Sequence, residues 1–173
     1  MRALIWRVHR QQAAWLSLAM LTAACSSALS PNGGPVPVPV TRFSHDDRPF
    51  SSFSGISAPT RLVVRDTTTW RSTWQLINQP FIPQPPLPTI DFSREMVLLA
   101  GLGTEPSGGY ELRIERATRD TSGIDVQLRR TTPAAGCPVT ASLTQPIDLV
   151  RVPFSEQPVR FSETTQVTAC DAR

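Results

Sequence analysis

From residue 96 onward the apolar residues recur with a period of two, and this pattern narrows what the chain can fold into more than any other feature. Tyr110, Leu112 and Ile114 alternate with Glu111, Arg113 and Glu115, and Ile124, Val126 and Leu128 alternate with Asp125, Gln127 and Arg129. Alternation of this kind sets one face of a strand on a core and the other in water. Met96–Gly103 (MVLLAGLG) is instead apolar throughout, which suits a central strand. Arg61–Arg65, residues 149–154 (LVRVPF) and residues 158–162 (PVRFS) read as further short strands, with Pro153 marking an edge or a bulge. Asp120-Thr-Ser-Gly123 makes a tight turn that leaves no room for a crossover helix, so antiparallel pairing is expected.

One segment breaks the pattern. Trp70, Trp74 and Ile77 recur at helical spacing, Asp66 or Thr67 can cap the start, and Pro80 stops the run. The two tryptophans on one face read as a core plug, since each buries some 200 Å². Residues 80–88 (PFIPQPPLP) hold five prolines and can only be an irregular connection. The expected fold class is mainly β (α+β): a small antiparallel sandwich or open barrel with one short helix. At 173 residues the chain suffices for one modest domain.

Charge says where the protein works. There are 17 Arg and no Lys against 14 acids, but Arg2, Arg7 and Arg10 precede the apolar run Ala13–Ala24, leaving 14 Arg against 14 acids in the remainder. A chain without a basic surplus beyond that segment has no electrostatic footprint for nucleic acid. Lacking Lys, it also has no Schiff-base or P-loop lysine chemistry. The apolar run of 12 residues is too short to span a bilayer, which takes about 20; with the arginines before it, residues 1–24 read as a signal peptide. Thr22-Ala-Ala-Cys25 resembles the lipobox of bacterial lipoproteins, in which the Cys becomes the acylated first residue; ordinary cleavage after Ala24 is the other reading. Ser26 resembles the signal for transfer to the outer membrane. The expected location is therefore the bacterial cell envelope, lipid-anchored at Cys25 to the outer membrane and facing the periplasm or the surface. Residues 25–39 carry Pro35-Val-Pro-Val-Pro39 and read as the lipidated Cys followed by a tether, with a single domain over 40–173.

Cys137 and Cys170 then lie in an oxidising compartment, where a disulfide would close a loop of about 34 residues; a free thiol on a frayed tail is the alternative. Metal-ligand spacings are absent from the sequence, and neither a metal nor a cofactor is expected. His45, the single His beyond the signal segment, lies in a Ser- and Pro-rich stretch with no rigid element to place it, and no Gly-x-Ser-x-Gly turn occurs. Asp91 and Glu95 form the one carboxylate pair of note, in what reads as a turn entering a strand. An enzyme is not expected. In Gly101-Leu-Gly-Thr-Glu-Pro-Ser-Gly-Gly-Tyr110 the glycines are followed by a strand rather than a helix, which excludes a phosphate cradle. Pro106, Gly108 and Gly109 suit a structural hairpin; a binding loop is the competing reading.

The order Trp70-x-x-x-Trp74, proline-rich connector, Asp91-Phe-Ser-Arg-Glu-Met-Val97, Gly103-x-x-Pro-Ser-Gly-Gly-Tyr110, Pro133-Ala-Ala-Gly-Cys137, Leu143-Thr-x-Pro146 and Val150-Arg-Val-Pro153 resembles the PrcB C-terminal domain family over about residues 54–162. The resemblance implies a secreted or lipid-anchored, non-catalytic accessory subunit of a surface protease complex. The family offers no catalytic residues to carry over, so the expected site is the partner-binding loop Pro106, Ser107, Gly108, Gly109 and Tyr110, and the partner implied is a protein such as a secreted or surface protease. A fainter likeness joins Ser-Gly-Gly-Tyr to the Thr-Gly-Tyr loop of chagasin-type protease inhibitors, with Val150-Arg-Val-Pro-Phe154 as a second loop. A module for envelope glycans or small ligands is the third class, and exposed Trp and Tyr would be its signature.

Overall fold

Strand β5 (Glu95–Gly101) has six consecutive buried residues because both of its faces are covered. The structure, a computed structural model, describes residues 34–43 and 50–170. Within them lie β1 (Val36–Val38), β2 (Thr41–Arg42), β3 (Phe50–Ser51), β4 (Thr60–Val64), α1 (Thr67–Ile77), β5, β6 (Glu111–Arg119), β7 (Ile124–Pro133), β8 (Ile147–Pro153) and β9 (Val159–Thr168). They form three layers. The first sheet runs β1-β6-β7-β9, and the second runs β2-β8-β5-β4 with β3 on the same edge of β8 as β2. Met96, Leu98 and Ala100 of β5 and Val150 and Val152 of β8 face the first sheet, meeting Leu112, Ile114, Val126 and Leu128. Val97, Leu99 and Leu149 face the other way, onto Trp70, Trp74 and Ile77 of the helix. A strand that serves two cores has no polar face to show, hence its unbroken apolar run.

The helix follows from its sequence. Asp66 is the N-cap, its carboxylate accepting from the Thr69 amide at 2.8 Å, and the helix ends at Ile77, ahead of Pro80. Each tryptophan hands its indole N–H to the proline-rich connector: Trp70 Nε1 to Pro88 O at 2.9 Å and Trp74 Nε1 to Pro85 O at 3.0 Å. Prolines lack donors but keep carbonyls, so this connector satisfies the polar tips of the buried rings.

The molecule is a sandwich, not a closed barrel, and it departs from the sequence reading in three places. Val36–Val38 lies in the stretch read as tether yet pairs with Ala117–Arg119 of β6. Pro37 is tolerated there because β1 is an edge strand whose central residue turns its missing donor outward. Second, β9 runs to Thr168 and lies parallel to β7, since the chain passes through β8 in the other sheet before returning. Third, residues 102–110 do not form a hairpin. They cross from β5 in one sheet to β6 in the other. The turn at Asp120–Gly123 is the hairpin expected, closed by Asp120 N–H to Gly123 O at 3.0 Å.

Where the sheets meet along β6 and β8, side chains replace a ladder. Asp148, with no exposed surface, turns from β8 into the inter-sheet space. It accepts from the Ile114 amide at 2.7 Å and from Arg42 Nη1 at 2.8 and 3.0 Å, while Arg42 Nη2 donates to Ile114 O at 2.7 Å. Both backbone groups of Ile114 are thus satisfied by one ion pair, next to the β6 bulge at Glu115. Burial pushes the Asp148 carboxyl above its ordinary value, and the Arg42 hydrogen bond works against that shift.

A raised native pKa means that the folded state holds this proton more tightly than the unfolded chain. Its contribution to stability is therefore full below the ordinary carboxylate pKa and is lost as pH rises through the native value. Arg42→Ala leaves the charge unpaired. We expect a loss of about 2–4 kcal/mol at pH 7 by urea unfolding, at the lower side of the range for broken buried pairs because the Arg42 side chain is 32% exposed. The deficit should shrink as pH falls and Asp148 takes up its proton; a deficit independent of pH would contradict this assignment.

Candidate functional site

Gly103, with φ +83°, turns the chain out of β5; a Cβ there would lie 2.9 Å from the Ala58 carbonyl carbon. The crossover then runs against residues 138–146, which fasten it from behind. Leu102 N–H donates to Pro146 O at 2.9 Å, Glu105 N–H to Thr144 O at 2.8 Å and Gly108 N–H to Thr140 O at 2.9 Å. Thr144 Oγ1 donates to Ser107 O at 2.8 Å, and the buried Glu105 carboxylate takes a hydrogen bond from Arg130 Nη2 at 2.8 Å. Gly109 has φ +86°, and a Cβ would approach Pro133 Cβ and Val139 Cγ1 to 3.2 Å. Only glycine meets both conditions, a left-handed backbone and no side chain, at that point.

The bracing segment is itself tied down. Cys137 and Cys170 form a disulfide, with Cα atoms 5.1 Å apart, that joins the start of the segment to the end of β9. Of the five loop residues, Pro106 and Gly109 are exposed and Ser107, Gly108 and Tyr110 are half-buried. The bend divides two clefts that share Gly109 and Glu111 as walls. One, of about 320 Å³, opens towards Tyr110, Leu112 and Ile147; the other, of about 420 Å³, lies between Pro133, Val139 and the disulfide. Val139 and Leu143, 41% and 60% exposed, add apolar surface on the bracing segment beside them.

The carboxylates that sequence reasoning singled out are engaged locally. Asp91 accepts from the Ser93 hydroxyl at 2.6 Å and its amide at 3.0 Å, which hold its carboxyl below the ordinary value, and Glu95 pairs with Arg151 at 3.3 Å. Among the described residues no three His, Cys, Asp or Glu side chains gather as metal ligands. Cys25 and His45 lie outside the described residues. The second loop of the inhibitor likeness is not a loop: Val150–Pro153 is paired inside β8 with β5, and β8 begins beside the bend at Ile147 and ends at Pro153, some 20 Å along the sheet. Trp70 and Trp74, 1% and 4% exposed, offer no platform for a glycan.

Sequence reasoning missed what holds the bend, namely Glu105–Arg130 and the Thr140 and Thr144 contacts. Their one local signal is an acid, Glu105, next to the glycines in an apolar stretch. Replacing Cys137 and Cys170 together by Ser should lower stability by about 2–4 kcal/mol in thermal unfolding. Gly109→Ala should cost about 1–2 kcal/mol through its positive φ. If Gly109→Ala melts with the parent, the bend does not hold the conformation described.

No curated protein and no solved structure matches the chain significantly. The model of the PrcB C-terminal family does match, over residues 96–153. The matched stretch starts one residue into β5 and ends with β8, so it takes in the whole bend, β6, β7 and the bracing segment and leaves out α1 and β9. That part of the chain, which holds the bend and the segment behind it, is PrcB-like.

Proposed function

We propose that this chain is a non-catalytic accessory protein of the bacterial cell envelope, lipid-anchored at Cys25, which binds a protein partner through the Pro106–Tyr110 bend and its two flanking clefts. The observation that carries the reading is the way the bend is built. Five backbone and side-chain hydrogen bonds and a disulfide-tied segment fix a loop whose outer side is backbone, proline and a half-buried tyrosine. Preorganised backbone lowers the ordering cost of association, which suits recognition. The match to the PrcB C-terminal family over the same residues supports a PrcB-like protein, and a partner of the protease-complex kind is our reading of that resemblance.

The anchor rests on the sequence alone. Three arginines, a 12-residue apolar run and a small-residue site before Cys25 occur in that order. Acyl chains contribute about 0.8 kcal/mol per buried methylene, and two or more of them hold a protein at a membrane.

Photo-cross-linking from position 110 in intact envelopes tests the reading. The expected result is a single secreted or surface protease captured, with capture lost in Gly109→Val and retained in the surface control Arg71→Ala. Capture of none in cells that secrete proteases, or equal capture by both variants, would overturn it. Cys25→Ser should leave the precursor uncleaved or shed the protein to a soluble fraction; a processed protein with unchanged detergent partitioning excludes the lipid anchor.

A further inference from the structure

The outer edge of β9 is an unprotected strand edge, and we propose that it pairs antiparallel with β9 of a second copy of this chain. Its free groups can be assigned. Ile124 N–H donates to Pro158 O at 2.9 Å and Ala134 N–H donates to Thr168 O at 3.0 Å, and the parallel register between them is unbroken. Even-numbered residues of β9 therefore turn their backbone groups to β7. Alternation leaves the N–H and C=O of Phe161, Glu163, Thr165 and Val167 pointing away from it. Among the described residues no other strand pairs with β9, and Ser162–Thr168 is exposed throughout.

The usual protections of an edge are missing. Val159–Thr168 contains no proline, and its two charges are engaged within the chain, Arg160 with Asp125 and Glu163 with Arg61. A long exposed edge with β-branched residues and no guard charge is a template for another strand. The disulfide at Cys170 fixes its far end, so little order is lost on pairing.

Two features favour a second copy over a foreign strand. With the two-fold axis at Thr164, Phe161 stands opposite Val167 of the partner subunit, and Glu163 stands opposite Thr165 of the partner subunit. Val167, 61% exposed, then gains an aromatic neighbour, and no like charges face each other. Such pairing also closes: the joined sheet would read β1-β6-β7-β9-β9-β7-β6-β1 and end at both sides on β1, where Pro37 blocks further addition. A lone foreign strand would leave its own far edge open.

Sedimentation equilibrium of the full chain over a micromolar concentration series tests this, without reference to any envelope partner. The parent should dimerise. Thr165→Pro deletes an outward N–H and spares the ladder to β7; Val167→Glu keeps every backbone group and sets a carboxylate against Phe161 of the partner subunit and diagonal to Glu163 of the partner subunit. Each should weaken self-association by about tenfold or more while the melting curve stays cooperative. A parent that sediments as a monomer throughout, or a folded Val167→Glu that dimerises as tightly as the parent, overturns the proposal.

Discussion

Everything in this molecule is arranged around β5, the strand that has to be covered twice. Its two faces call for a sheet on one side and a helix on the other, and each requirement is met by residues that carry the right period. The first sheet supplies alternating strands, and α1 supplies Trp70, Trp74 and Ile77 in a single stripe. Because β5 belongs to one sheet and β6 to the other, the chain must cross between layers at the end of β5. That crossing is the bend. The glycines that a hairpin reading would use for a tight turn are used instead for a change of layer, at Gly103, and for close approach to Pro133 and Val139, at Gly109.

The seam at Asp148 shows the same economy. Two sheets that do not close into a barrel leave edge groups on β6, and those of Ile114 are capped by a buried aspartate and its arginine. A buried pair of this kind adds little net stability beside an apolar alternative, but it penalises any slip of β8 against β6, because slippage would strand a charge. The seam thereby fixes register in a place where no ladder does so.

Much of this was legible in the sequence, and what was not has a common cause. Helix α1, β5, the Asp120–Gly123 hairpin and the inward sets of β6 and β7 all follow from local period and turn chemistry. The parallel partner of β9, the strand at Val36–Val38 and the layer change after β5 depend on which distant strands pair, and local pattern is silent about that. Asp148 sits at an inward position of its strand, where an acid is a visible anomaly, yet its partners Arg42 and Ile114 are 106 and 34 residues away. The bend itself was singled out from its glycines and proline. What could not be read was its bracing, because Thr140 and Thr144 are ordinary loop residues until the fold sets them behind it.

The central claim is that the bend is a rigid, prebuilt surface. Amide hydrogen exchange tests it most directly. Glu105 and Gly108, whose N–H groups donate to Thr144 and Thr140, should exchange as slowly as amides of β6, while Gly109 exchanges fast. If Glu105 and Gly108 exchange at the rate of an open loop, the bend is not held and the account fails.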